Sequence, residues 1–290
     1  MKLSTVSAVI TGANQGLGLA ISKAFLAEGA DITICARDEK KLNEAVAELS
    51  NCNPHHKKII SCRADISKIA DVEKLMHLAN QSTGKISVLV CNAGIHGPKG
   101  SIETINWDEW STAIDINLKG TVFSCKAAIP YLKKNKRSKI IILSGGGATK
   151  PMPNLSAYAV SKAAIVRFAE TLAEELKTDH IDVNAVAPGA LNTRLLDDVL
   201  TAGSDIVGHA FYQQLLKQKE TGGSPLETGA ELCVYLASSE SDNITGKLIS
   251  AVWDPWKDLQ MHLSDLQKTD VYTLRRIVPT DRNLSWGDEK

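Results

Sequence analysis

The chain has 290 residues, 33 of them basic and 33 acidic, so its formal charge is zero and its pI is near 7.0. A neutral chain carries no electrostatic footprint for nucleic acid or an anionic membrane surface, which sets both partner classes aside. Hydrophobic residues make up 43% of it, enough to fill the core of one large α/β domain.

Short β-branched runs alternate with longer amphipathic stretches. A strand over Val6–Ile10 runs into a glycine-rich turn and a helix over Gly16–Glu28. A strand at Asp31–Ala36 and a helix at Glu39–Leu49 follow, then a strand at Lys58–Cys62, a helix at Ala70–Gln81 and a strand at Ser87–Cys91. A long helical region is predicted from Trp107 to Leu132, with a strand at Lys139–Leu143 behind it. After a loop come a helix at Ala157–Leu176, a strand at Asp182–Val186, a helix at Glu227–Ala237 and a strand at Lys247–Val252. Near-continuous apolar strands separated by helices predict a parallel sheet covered on both faces. Right-handed crossovers make it a three-layer doubly wound sheet, an α/β Rossmann fold in a single domain, with ligands at the carboxyl ends of the strands.

Two segments fall outside the alternation. Residues 190–225 form a long mixed insertion with Gly203, Gly208, Gly222 and Gly223 as hinge candidates, which suits a mobile lid over a substrate. Residues 253–290 extend beyond the last strand and hold three of the five tryptophans, Trp253, Trp256 and Trp286. Tryptophan faces suit stacking on rings or sugars, and Arg275 and Arg276 suit anions; packing on the chain's own surface is the plainer alternative. The six cysteines form no C-x-x-C pair and the seven histidines no ligand pattern, so no metal site is expected. Idle thiols, no signal-peptide preamble and no run of transmembrane length together point to a cytoplasmic protein.

Two motifs carry chemistry. The turn Thr11-Gly12-Ala13-Asn14-Gln15-Gly16-Leu17-Gly18 lies between a strand and a helix, where absent side chains let a backbone approach a pyrophosphate. Tyr158 and Lys162 stand one helical turn apart on one face. A phenol of ordinary pKa ~10 is a poor proton shuttle at neutral pH, and a neighbouring ammonium would lower that value.

With these residues the chain resembles the short-chain dehydrogenase/reductase family of the single-domain type, over roughly residues 5–252. The matching positions are Gly12, Gly16 and Gly18, Asp65 with Ile66 after the third strand, and Asn92-Ala93-Gly94 after the fourth. Asn117, Tyr158 with Lys162, and Pro188-Gly189 with Thr193 complete the set. The resemblance implies hydride transfer between a nicotinamide dinucleotide and a carbonyl/alcohol pair. Tyr158 would be the general acid/base, Lys162 would hold the nicotinamide ribose, and Asn117 would hold a water in a proton relay. Asp65 would meet the adenine, though a helix N-cap role competes for it. Asn92 would hold the nucleotide side of the cleft and Thr193 the carboxamide. Ala36 takes the place where NAD-preferring relatives usually carry Asp, and Arg37 can clasp a phosphate. NADP is therefore expected, with NAD as the alternative should Asp38 claim the ribose. Relatives pair through the long helices, so a homodimer or homotetramer is expected.

One position departs from the family. The serine expected thirteen residues before the tyrosine is Gly145, and Ser144 is one place early, on the other face of a strand. Ser144, Thr149 or Ser156 could replace the missing donor; a nest of backbone amides at Gly145–Gly147 is the preferred expectation. Two further readings stay open: an epimerase or dehydratase with transient hydride transfer, and a weakly catalytic NADP-binding regulatory protein.

Overall fold

The computed structural model describes residues 1–286. Its strands are β1 (Ser7–Thr11), β2 (Asp31–Ala36), β3 (Ile59–Arg63), β4 (Val88–Cys91), β5 (Ser138–Leu143), β6 (Ile181–Ala187) and β7 (Leu248–Ser250). All pair in parallel, in the order β3-β2-β1-β4-β5-β6-β7. The order reverses between β1 and β4, and a crevice opens there at the carboxyl ends. The helices are α1 (Gly16–Ala27), α2 (Glu39–Asn51), α3 (Ile69–Thr83), α4 (Trp107–Ile114), α5 (Gly120–Leu132) and α6 (Ser156–Glu175). Then come α7 (Arg194–Ala202), α8 (Ser204–Val207), α9 (His209–Thr221), α10 (Leu226–Ala237) and α11 (Leu263–Lys268).

Alternation along the strands builds two cores. Ala8 and Ile10 of β1 face α1 and α10, while Val9 between them faces the layer of α3, α5 and α6. Successive side chains of a strand point to opposite faces, so each strand feeds both layers and reads as an unbroken apolar run. Among the described residues no helix is long and apolar enough to cross a membrane.

The helical region predicted from Trp107 to Leu132 is continuous, with a π-turn at Asp115–Lys119 joining α4 to α5. The predicted last strand stops at Ser250, because Ser250 Oγ accepts from the amides of Val252 and Trp253, and the Ser250 amide donates to Asp254. That turn takes the backbone out of the sheet. The insertion carries α7, α8 and α9, and the hinge candidates Gly203, Gly208 and Gly222 sit at their ends with φ of 85°, 90° and 95°.

The extension folds back on its own chain. Trp256 is 8% exposed, packs its ring 5.6 Å from that of Tyr235, and donates Nε1–H to Ala251 O at 3.1 Å. Farther on, the chain passes the free edge of β7, where the Leu248 amide donates to Tyr272 O and Lys247 Nζ to the carbonyls of Thr269 and Val271. Pairing removes an open strand edge. Arg167 of α6 then donates to Leu274 O. Arg275 is held between Asp270 and Asp281, so the anion-binding role considered for it is already taken by carboxylates. Trp253, by contrast, is 84% exposed. Trp256→Ala is expected to lower the free energy of unfolding by about 3–5 kcal/mol, and Trp253→Ala by less than about 0.5 kcal/mol. Urea denaturation of both variants checks this, and equal losses would contradict the packing described.

Candidate active site

At the carboxyl ends of the strands lies a cleft of about 1450 Å³. Its glycine turn is shaped by crowding. Gly12 has φ of 64°, and a Cβ there would lie 2.7 Å from Ala93 Cα; one on Gly18 would lie 2.3 Å from Gly12 O. No other residue type fits these two places without moving backbone. Asn92 Nδ2 donates to the carbonyls of Thr11 and Gly12 at 3.0 and 2.9 Å. Thr11 Oγ1 accepts from the amides of Asn92 and Ala93 in return. Asn92 thus holds the turn itself. Gln15 precedes α1 without a side-chain cap, which leaves the first amides of that helix free toward the cleft.

At one end of the cleft, β2 finishes at Ala36, followed by Arg37, Asp38 and, one turn into α2, Lys41. Asp38 caps α2 by accepting from the Lys41 amide at 3.1 Å. Asp65 Oδ1 accepts from the amide and hydroxyl of Ser67, closing the turn ahead of α3. Burial would raise its carboxyl, but the Ser67 hydrogen bonds and the charges of Arg37 and Lys68 hold it below the ordinary 3.8. Asp65 therefore closes the turn and is not the N-cap of α3, a place that Lys68 takes.

At the other end stands Tyr158, half-buried, with Lys162 one turn on along α6. Lys162 Nζ donates to Leu143 O at 2.7 Å and lies 5.7 Å from the centroid of the phenol ring. Burial pushes the Lys162 ammonium down to about 8 and the Tyr158 phenol up to about 12. The expected lowering of the phenol by the ammonium is corrected here. In this geometry the charge faces a carbonyl, and loss of water dominates the phenol.

Every expected site residue except Asn117 lines the cleft: Gly12, Asn14, Gln15, Gly16, Leu17, Gly18, Arg37, Asp65, Ile66, Asn92, Ala93, Gly94, Ser144, Tyr158, Lys162, Pro188, Gly189 and Thr193. Asn117 is buried behind it in the π-turn. Its Oδ1 accepts from the Ile95 amide at 2.9 Å, and its Nδ2 donates to Ile95 O and Ser161 Oγ at 2.8 and 2.9 Å. Both amide hydrogens are spent, so its side chain acts as a clasp between the end of β4 and α6.

The comparisons agree with this geometry. A model of the family described as short chain dehydrogenase matches residues 6–202. The chain belongs to that family. Dehydrogenase/reductase SDR family member 4 of Caenorhabditis elegans is 31% identical over 242 residues, 83% of this chain and 92% of that protein. Oxidoreductase asL5 of Sarocladium schorii is 30% identical over 249 residues, 86% of this chain and 95% of that one. Among solved structures, levodione reductase superposes with a TM-score of 0.79 at 21% identity, over 89% of this chain and 99% of its own, a likeness of fold. The 3-ketoacyl-(acyl-carrier-protein) reductase of Brucella melitensis, complexed with NADH, gives 0.73 at 28% identity, over 85% of this chain and 96% of that one. The protein is thus a short-chain dehydrogenase/reductase, an enzyme of CH–OH and C=O groups that uses a nicotinamide dinucleotide.

For a short-chain dehydrogenase, the surroundings of Gly145 are unusual. A Cβ at Gly145 would lie 2.4 Å from Tyr158 Oη, so the phenol fills the space a side chain would take. The amide nest is not formed, since none of Gly145, Gly146 and Gly147 has the positive φ it needs. Gly147 instead admits α6 closely, its would-be Cβ 2.8 Å from Ala159 Cα. Ser144 Oγ is sealed from solvent without a hydrogen-bond partner. Ser156 accepts from Trp110 Nε1 and lies off the cleft, whereas Thr149 lines it, exposed.

Sequence reasoning missed His96. Its ring stands edge-on to that of Tyr158, centroids 4.6 Å apart, and its Nδ1 is buried with no partner. Only its place, two residues after Asn92-Ala93-Gly94, could have marked it. Burial, then the charges of Lys99 and Lys162, drive it from the ordinary 6.5 to about 4. Between these values the unfolded chain takes up a proton that the folded chain refuses, so stability falls as pH drops from 6.5 to 4. His96→Phe should lose less stability than the unaltered protein across that window in denaturant titrations; an equal loss would refute the assignment.

Proposed function

We propose that this enzyme uses NADP(H) to move a hydride between nicotinamide and a neutral, largely apolar carbonyl/alcohol substrate, with Tyr158 as general acid/base. The observation that carries this reading is the position of Tyr158, where the groove of the glycine turn meets an apolar pocket. Leu196, Val199, Phe211 and Leu215 of the flap helices face Met152 and Leu155 there, in one packed cluster that includes Tyr158. Such a wall favours ketones or secondary alcohols with a hydrocarbon body. It lends nothing to a sugar nucleotide, so the epimerase reading has no observation in its favour. The close pairing of Tyr158 and Lys162 likewise argues against a purely regulatory protein.

The residues fit a dinucleotide. The uncapped α1 amides suit a pyrophosphate, and Arg37 and Lys41 offer two cations at the far end of the groove. Ala36 presents no carboxylate to a ribose, and the Asp38 carboxylate is engaged at the α2 cap. NADP is favoured on these residues, with NAD the weaker candidate. When bound, the dinucleotide supplies or accepts the hydride at the substrate carbon. Tyr158 supplies the proton: a phenol that stays protonated through the physiological range suits donation to a carbonyl oxygen in reduction. Lys162, its ammonium weakened by burial, is placed to favour the phenolate once its charge turns toward the cleft. Asn117 acts through Ile95, fixing the strand end from which the pocket rises.

Tyr158→Phe should cut turnover by about 10²–10⁴-fold with NADPH affinity nearly unchanged, while Arg37→Ala combined with Ala36→Asp should reverse the preference from NADPH to NADH. Steady-state kinetics with both dinucleotides decide; undiminished turnover in Tyr158→Phe would sink the mechanism, and a wild-type preference for NADH the cofactor assignment.

The reading places the enzyme in the cytoplasm, where free thiols such as its six cysteines stay reduced. It also makes the enzyme a homodimer or homotetramer. Trp107, 66% exposed and stacked 5.1 Å from Trp110, and exposed Val160 on α6 offer apolar surface to a second copy. Sedimentation should give a mass at least double the 31.3 kDa chain; the chain mass alone would refute assembly.

A further inference from the structure

Three consecutive glycines, Gly145, Gly146 and Gly147, follow β5, and each stands in different surroundings. A Cβ on Gly146 would meet no atom within 4 Å. One on Gly147 would lie 2.8 Å from Ala159 Cα, against backbone that cannot turn aside. One on Gly145 would overlap Tyr158 Oη. The next two atoms it would meet, Cζ at 3.3 Å and Cε1 at 3.7 Å, belong to the same ring. The Gly145 backbone itself is fully extended, with φ of -179° and ψ of 175°, a conformation open to any residue. The phenol, and not the backbone conformation, is what a side chain at 145 would meet.

The surroundings of this contact are tied down on both sides. Gly145 O accepts from the Ala148 amide at 3.0 Å, and the Ser144 amide before it donates to Val186 O at 2.8 Å. On α6, Ser161 Oγ donates to Tyr158 O and accepts from Asn117, while Lys162 Nζ donates to Leu143 O. The helix is thereby fastened to the end of β5 and, through Asn117, to the end of β4. The His96 ring stands edge-on to the phenol, and Met152 and Leu155 pack in the same cluster as Tyr158. Only the hydroxyl end is free. Tyr158 Oη has no hydrogen-bond partner among the described residues, yet unlike Ser144 Oγ it is not sealed, and Tyr158 lines the cleft. A crowded side-chain end yields by small χ rotations at modest cost, whereas hydrogen-bonded backbone does not.

We propose that Gly145 is a positioning residue for Tyr158: its bare Cα leaves the recess in which the phenol oxygen stands, so a serine placed at 145 would displace that oxygen rather than add a second donor. This inference rests on the dehydrogenase reading above and deepens it. Ordinary van der Waals separation from a Cβ at 145 requires Oη to move by about 1 Å. Backbone closes the recess behind it, so the movement is toward the cleft. Proton transfer needs a donor within about 2.6–3.2 Å of the reacting oxygen, and a misplacement of about 1 Å costs on the order of 10²-fold in rate. The chemistry itself is unaltered. The hydride passes between nicotinamide and the substrate carbon, Tyr158 gives or takes the proton, and Gly145 contributes no atom to either transfer. A glycine at 145 and a phenol seated against the end of β5 are two halves of one arrangement.

The test uses the full-length enzyme, NADPH and a set of neutral cyclic ketones, of which the best substrate of the unaltered enzyme serves as probe. Gly145→Ala, Gly145→Ser, Gly146→Ala, Tyr158→Phe and the double variant Gly145→Ala with Tyr158→Phe are compared. The readouts are kcat, KM, NADPH affinity from fluorescence and urea unfolding. Gly145→Ala and Gly145→Ser should each lose about 10–10²-fold in kcat, with KM and NADPH affinity within about 3-fold. Their unfolding midpoints should stay at that of the unaltered enzyme, because a side-chain end yields and no backbone moves. Gly146→Ala, whose methyl meets open space, should keep kcat within about 3-fold. In the Tyr158→Phe background there is no Oη to displace, and the methyl at 145 should change the residual rate by less than about 3-fold. The proposal is overturned if Gly145→Ser matches or exceeds the unaltered enzyme, if Gly145→Ala loses nothing, or if Gly146→Ala loses as much. It is equally overturned if either Gly145 variant unfolds at clearly lower urea, or if the methyl costs the same with and without the hydroxyl. Those failures leave the dehydrogenase reading standing. That reading fails separately, if Tyr158→Phe turns over as fast as the unaltered enzyme or no ketone consumes NADPH.

Discussion

The cleft depends on how the end of β4 is tied down. On one side, Asn92 reaches across to the carbonyls of Thr11 and Gly12, and Thr11 returns two hydrogen bonds to the amides of Asn92 and Ala93. On the other, Asn117 grips both backbone groups of Ile95 and passes the constraint to α6 through Ser161, whose hydroxyl donates to Tyr158 O. Four residues, 92–95, are thereby locked between the glycine turn and the helix that carries Tyr158. At this point the strand order reverses and neighbouring crossovers diverge, so the crevice would otherwise have nothing to set its width. The π-turn belongs to the same device: it widens the helix where Asn117 sits and lets a buried side chain aim at a strand end.

Burial of the site's titratable groups then sets their protonation. Burial moves three titratable groups in one small volume: the phenol up to about 12, the ammonium down to about 8 and the imidazole down to about 4. Each shift disfavours the charged form, as expected for groups packed between the flap cluster and the sheet end. The pocket therefore presents a protonated phenol and a neutral imidazole side by side.

The extension contributes stability more than recognition. Trp256, Leu259 and Leu266 join the core beneath α10, and the stretch around Tyr272 covers the edge of β7. Its aromatic content suggested substrate contact, yet among the described residues of this segment only Trp253 and Asp254 reach the cleft. A tryptophan looks the same in sequence whether it stacks on a ligand or fills a gap beside Tyr235, and burial alone separates the two.

Much of the fold was legible because its signals are local. Seven apolar runs separated by amphipathic helices define the parallel sheet, and Gly12 and Gly18 are where they are because backbone crowds backbone within a few residues of chain. Tyr158 and Lys162 share a face by helical spacing, whatever surrounds them. What no local pattern could supply was the company each residue keeps. His96 gains meaning only because the end of β4 is folded against α6, 62 positions later in the chain. The glycines at 145–147 suggested an anion nest, but packing gave their space to Tyr158 and Ala159. The linear order of residues thus determined the sheet, the dinucleotide turn and the acid/base pair. Tertiary packing decided which polar atoms lost their water, because desolvation acts between segments that lie far apart in the chain.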